Sequence, residues 1–248
     1  SDYCINPYVG CMHGCSYCYA RFMRRFTGHS EERWGKFIDV KINAVEVLKK
    51  QLDRNPKKGV ILLGSVTDAY QPLEKKYRVT RAILEVLLHY DFPVSILTKS
   101  ELVIRDIELL KQFKECEIGL TITTLDEKAA KSFEPYASSP EKRLKALEVL
   151  HKAGIKTYAF MGPILSGFTN LREIFNTLQG KVDFIMAETL NMRCGNRNDV
   201  IETLRRDFPA SLTFFESNLK KEYWIKIETE IKQLSEEFSM PLKGFYKH

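Results

Sequence analysis

Short runs of β-branched and other apolar residues recur along the chain at 59–64, 93–98, 117–123, 155–161, 182–188 and 211–215, after a first run at about 2–6. Each reads as a strand. The stretches between them, at 43–54, 77–90, 103–114, 140–153, 169–179 and 196–207, carry the apolar spacing of amphipathic helices. Asn43, Thr80 and Ser139 stand where helix caps belong. Strands alternating with helices predict parallel strands joined by right-handed crossovers, hence an α/β fold. Periodicity alone leaves open a doubly wound sheet or a barrel, and six or seven units favour a partial (β/α)6-type TIM barrel over 1–216. The charged amphipathic run from Leu219 to Met240 predicts a C-terminal helical extension within 217–248. In either architecture the loops leaving the carboxyl ends of the strands carry the chemistry.

A length of 248 residues suits one such domain. The longest apolar runs, such as 59–64, are far too short to cross a bilayer, and the first residues lack the basic and apolar regions of a secretory signal. A cytoplasmic protein without a membrane partner is expected. The net charge of +6 is spread thinly. One segment stands out, Arg21-Phe22-Met23-Arg24-Arg25-Phe26 with Tyr19 and the later Arg33-Trp34, because cations mixed with aromatic groups can track phosphates and stack bases. The same mix can cover a barrel mouth as a helix with one apolar face, so a nucleic-acid partner is allowed rather than required.

Six cysteines are too few for a disulfide framework in a chain this long, and three of them, Cys11, Cys15 and Cys18, fall within eight residues. They follow the first strand, in a loop that Gly10 and Gly14 let wrap tightly. Soft thiolates suit an iron–sulfur cluster, and a cuboidal cluster normally takes four, so three ligands leave one iron open. A structural zinc site using these cysteines with His13 or Cys4 is the alternative, but a zinc site usually joins two paired halves and no second half is present. An iron–sulfur protein that only transfers electrons is a third reading.

The CxxxCxxC spacing with aromatic Tyr17 before the last cysteine resembles the signature of the radical S-adenosylmethionine superfamily. The wider string from Asn6 to Arg21, with Gly64-Ser65-Val66-Thr67-Asp68 and Thr121-Ile122-Thr123, is similar to the branch of spore photoproduct lyase and DNA repair photolyase-like proteins, over about residues 4–190. That resemblance implies a 4Fe–4S cluster on Cys11, Cys15 and Cys18. Its open iron chelates S-adenosylmethionine, which is cleaved to methionine and a 5′-deoxyadenosyl radical with an electron from a donor such as a flavodoxin or ferredoxin. It implies cofactor contacts from the Tyr17 backbone to adenine, and from Gly64, Ser65, Thr67 and Asp68 to the methionine amino group. Here the family's common Gly-Gly-Glu has become Gly-Ser-Val-Thr-Asp. Lys99 corresponds to a lysine near the cofactor, and Thr121 and Thr123 to ribose ligands; Arg143, opening a helix after Glu134-Pro135, is a candidate for a bidentate grip on the cofactor carboxylate, with a helix-surface ion pair as its competing role. Ile164, in an apolar adenine-packing segment, and Met192 would border the adenine.

The target of the radical is less determined. Spore photoproduct lyase uses a thiol at the end of its second strand, where this chain has Gly64-Ser65. Cys194, leaving the carboxyl end of a later strand, is the candidate hydrogen donor in its place. Repair or modification of nucleic acid, and chemistry on a small molecule or peptide, both remain open.

Overall fold

The computed structural model describes residues 1–248. Seven parallel strands form one sheet in the order β1 (Tyr3–Ile5), β4 (Ile61–Leu63), β5 (Val94–Thr98), β6 (Cys116–Thr121), β7 (Lys156–Ile164), β8 (Phe184–Thr189) and β9 (Leu242–Tyr246). A separate ribbon of β2 (Tyr8–Val9) against β3 (Asp39–Val40) pins both ends of the cysteine loop. Gly10 opens that loop at φ +81°, and a Cβ there would stand 2.5 Å from the Phe37 carbonyl, so no other residue fits.

The strands obey the two-residue alternation of a pleated sheet. Ile61, Leu63, Val94, Ile96, Ile118, Leu120, Ala159 and Ile185 join a core of 39 buried residues. That core also takes in α1 (Ala44–Leu52), α3 (Val79–His89), α4 (Ile107–Leu110), α6 (Pro140–Lys152), α7 (Leu171–Leu178) and α10 (Lys221–Glu237). Between them, α2 (Glu74–Tyr77) carries the chain from the end of β4 into α3. The alternate residues Leu62, Leu97, Tyr158, Phe160 and Met186 face the concave side and line a cavity. A second core beside the cysteine loop joins Cys15 and Tyr17 to α5 (Glu127–Phe133), α8 (Arg197–Asp207) and α9 (Leu212–Ser217).

The α/β partial barrel is as expected, with one correction. Residues 211–215 are not a strand: Pro209–Ser211 form a 3-10 turn running into α9, which buries Phe215 and leaves Phe214 exposed. The β-prone Leu-Thr-Phe-Phe composition yields to packing of Phe215 beside Phe168, 6.5 Å between ring centres. The seventh strand comes instead from Leu242–Tyr246, so the segment 217–248 supplies a helix and then the last strand of the sheet.

The concave face tolerates its large aromatics because small residues lie beneath them. A Cβ on Gly119 would sit 2.2 Å from the ring of Tyr158, its partner in register across β6 and β7. Gly119→Ala is expected to displace that ring and destabilise the protein by about 1–3 kcal/mol, measured as a lower urea midpoint. An unchanged midpoint would show that the ring moves freely.

Candidate functional site

Cys11, Cys15 and Cys18 line one cavity of about 680 Å³ at the carboxyl ends of the strands. Two buried carboxylates hold the surrounding loops. Asp68, after β4, accepts from Thr98 Oγ1 at 2.6 Å and from the backbone N–H groups of Tyr70 and Lys99 at 2.8 Å each. His13 Nε2 stands 3.1 Å from Asp68 Oδ2, ion-pair distance though off the line of a hydrogen bond. Burial opposes the charge on Asp68, but His13 and these donors prevail and hold its carboxyl down at about 2. Gln71 adds a second tie between the β4 loop and the cysteine loop, accepting from Met12 N at 3.0 Å and donating to Thr67 Oγ1 at 3.2 Å.

On the other flank, Glu134 accepts from Tyr17 Oη, from Thr123 Oγ1 at 3.0 Å and from Arg143. Arg143 also donates to the Thr121 carbonyl at 2.8 Å and is 1 % exposed. Lys99 lies between the two networks. Its Nζ is 3.4 Å from Thr121 Oγ1 and 5.7 Å from the centre of the Tyr17 ring, and it faces the cavity with that one long hydrogen bond. Burial works against its charge, but Cys15 and Glu134 raise its pKa on balance.

The chemistry of the cysteines follows from burial. Desolvation pushes all three thiols up. At Cys18 it is opposed by the backbone N–H of Ala20, the charges of Lys99 and Arg21, and the nearby indole N–H of Trp34, which is not aligned for a hydrogen bond. The donor set fits an iron–sulfur cluster on two observations. Three thiols, soft ligands that suit such a cluster, line one cavity. The Trp34 N–H, buried beside Cys18, has no hydrogen-bond partner, and sulfur bearing negative charge would supply one.

The sequence-derived residues divide into two groups. Tyr17, Gly64, Ser65, Thr67, Asp68, Lys99 and Thr121 line the cavity with the cysteines. Thr123, Arg143, Ile164, Met192 and Cys194 do not. Thr123 and Arg143 are spent on Glu134, so Arg143 is a support of the wall rather than a free grip. Ile164 points into the main core while its neighbours Gly162 and Pro163 border the cavity, and Met192 packs on the second core. Cys194 is half-buried in the loop before α8, outside the lining. Cys4 also lies outside the lining, exposed, and its thiol donates to the wall residue Ser65 at Oγ, 2.9 Å away. Glu134 and Trp34 carried no local signal, since each acts on loop residues from elsewhere in the fold.

The family profile described as the Radical SAM superfamily matches residues 5–178. An uncharacterized protein of Methanocaldococcus jannaschii is 37 % identical over 211 residues, covering 85 % of this chain and 78 % of that protein. A radical SAM Nalpha-GlyT isomerase of Pseudomonas phage M6 is 24 % identical over 177 residues, covering 70 % of this chain and 36 % of that protein. Among solved structures, a spore photoproduct lyase with bound AdoMet and dinucleoside spore photoproduct superposes with a TM-score of 0.67 at 16 % identity, covering 100 % of this chain and 76 % of its own. SuiB of Streptococcus suis bound to S-adenosylmethionine gives 0.61 at 14 %, covering 99 % and 47 %.

The Asp68 ties carry a pH dependence with a definite sign. A carboxyl near 3.9 when unfolded and about 2 when folded adds stability that is complete above about pH 4 and lost as pH falls toward 2. Asp68→Asn is expected to be destabilised at pH 6, with the gap from the unaltered protein narrowing between pH 4 and 2 in urea titrations. A gap independent of pH would contradict the assignment.

Proposed function

Because the chain belongs to the radical S-adenosylmethionine superfamily, whose members use a 4Fe–4S cluster and S-adenosylmethionine, we propose that it cleaves that cofactor reductively to act on a nucleic-acid substrate. The observation that carries the cofactor reading is the convergence of Cys11, Cys15, Cys18 and the buried cation Lys99 on one cavity. Cys11, Cys15 and Cys18 hold the cluster. When bound, a reduced cluster supplies one electron to the sulfonium of S-adenosylmethionine, which yields methionine and a 5′-deoxyadenosyl radical.

The protein's part is to bind, orient and exclude water. Lys99, with donors to spare, pairs with the methionine carboxylate, a charge-assisted contact that a buried ammonium is suited to make. Gly64, Ser65 and Thr67 offer carbonyl and hydroxyl oxygens to the amino group. Asp68, already filled by four partners, orients this loop rather than meeting the ligand itself. Thr121 stands beside Lys99 to take a ribose hydroxyl. Tyr17, fixed by Glu134, presents its ring to the cavity, and its carbonyl accepts from Asn196 Nδ2 at 2.7 Å.

Nucleic acid is favoured by the 3-10 segment Tyr19–Phe26 next to the last cysteine. It does not cover the cavity with an apolar face: Tyr19, Phe22 and Phe26 are exposed, Phe26 to 75 %, and Arg24 and Arg25 share the last turn. Exposed rings beside arginines form a strip on which bases stack and phosphates pair.

Three experiments test these steps. Anaerobically reconstituted protein with dithionite is expected to form 5′-deoxyadenosine, and Cys15→Ala to form none. Lys99→Met should bind S-adenosylmethionine about tenfold or more weakly, the loss of one hydrogen bond to a charged group. No 5′-deoxyadenosine from iron-loaded protein with candidate oligonucleotides present would overturn radical chemistry. For the substrate, single-stranded oligonucleotides should bind with an affinity that falls as salt rises, and Arg24→Ala with Arg25→Ala should flatten the salt slope by about one unit for each phosphate left unpaired. Salt-independent binding, or none, would exclude this strip as the nucleic-acid surface.

A further inference from the structure

Trp34 stands in the wall between the cysteine cavity and a smaller polar recess of about 240 Å³ behind the cysteine loop. The side chain is 6 % exposed, packed with Cys11, Ala20 and Phe37, and its ring meets that of Phe37 edge-on at 5.8 Å between centres. Packing therefore fixes the direction of the indole N–H. That N–H is buried and has no protein partner. An indole nitrogen only donates, and leaving a buried donor unmade costs about 1–3 kcal/mol, so the position calls for an acceptor. Cys18 is the neighbour that can become one. As a neutral thiol its sulfur accepts weakly, and as a thiolate bound to iron it accepts well.

Resting on the reading that Cys18 holds the cluster, we infer that Trp34 donates a hydrogen bond to the Cys18 sulfur of the loaded protein and thereby raises the reduction potential of the cluster. The physical reason is electrostatic. Reduction adds a negative charge that is shared by the ligand sulfurs, a hydrogen bond to one of them strengthens as that charge grows, and the reduced state is stabilised relative to the oxidised one. Two cations stand nearby, but Arg21 is paired with Asp199 at 2.6 Å and Lys99 lies across the cavity with its Nζ 3.4 Å from Thr121 Oγ1. The indole N–H has no such competitor. Trp34 is a positioning residue, because it acts through the Cys18 sulfur.

The test is an anaerobic redox titration of the reconstituted protein followed by electron paramagnetic resonance. Trp34→Phe keeps a ring in the wall and removes the donor, and its midpoint potential is expected to lie below that of the unaltered protein. Phe37→Leu disturbs the same packing and keeps the donor, and its potential is expected to stay unchanged. Equal midpoints for the tryptophan variant and the unaltered protein, or an equal fall in both variants, would overturn the inference. If Trp34→Phe takes up no iron, pulsed resonance on protein carrying indole-15N tryptophan decides. With Trp224→Phe in the labelled protein, Trp34 is its single tryptophan, so a nitrogen coupled to the reduced cluster identifies Trp34, and the lack of one overturns the inference. Iron and sulfide content of the unaltered protein reads out separately whether a cluster is held at all.

Discussion

A carboxylate sealed from water must be met by donors from every side, and the need to satisfy Glu134 shapes the site more than any other contact. Its partners come from three places: Tyr17 from the cysteine loop, Thr123 from beyond the end of β6, and Arg143 from α6. Burial opposes the charge, but Arg143, then Lys99 and the hydrogen bonds, keep the carboxyl below its ordinary range. A buried ion pair is weak support for net stability, because desolvating both charges offsets most of their attraction. Removing one partner is different, since it strands the other charge. The network thus makes any drift of the cysteine loop away from the sheet expensive, and this geometric discipline is its contribution.

Asp68 exerts the same discipline from the opposite flank, joining the end of β4 to the end of β5 and to His13 between the cysteines. Lys99 is where the two systems meet. Its backbone N–H belongs to Asp68, and its ammonium is held by the charges of Glu134 and Cys15. A lysine fixed in this way cannot snorkel to the surface as a free side chain would. It is instead a cation whose place is set by two carboxylates, Asp68 through the backbone N–H and Glu134 through its charge. That division frees the cavity wall to be cationic and hydroxyl-rich at the carboxyl ends of the strands.

How much of this was legible in the sequence depends on the range over which each signal acts. The cysteine spacing and the strand alternation are local, and both led to the site. The interior of the sheet was harder. Along β7, Gly162 borders the cavity and Ile164 turns into the core, so a reading of the apolar segment as a unit could not separate wall from packing. Thr121 and Thr123 share a face by alternation, yet Glu134 claims the second. Arg143 has the chemistry of a carboxylate grip and uses it on a carboxylate of the protein. Glu134 lies 117 residues from Tyr17, and no spacing rule joins them. The segment 211–215 misled because β-propensity records a half-buried pleated environment that this part of the chain does not meet.

The shape of the cavity follows from a sheet that stops at seven strands. Its edges, β1 and β9, do not pair. Toward the amino ends of the strands the concave face carries flat aromatics, with Tyr158 stacked on Phe184 at 4.9 Å and lying over Gly119. Lys99, Thr121 and the cysteines stand at the carboxyl ends. On the unpaired side, Ser65 and Tyr19 border one edge of the cavity while Glu188 and Tyr246 border the other. A closed barrel would admit a substrate only along its axis, past the cysteine loop. An open one offers a flank as well, and the exposed strip from Tyr19 to Phe26 begins at that flank.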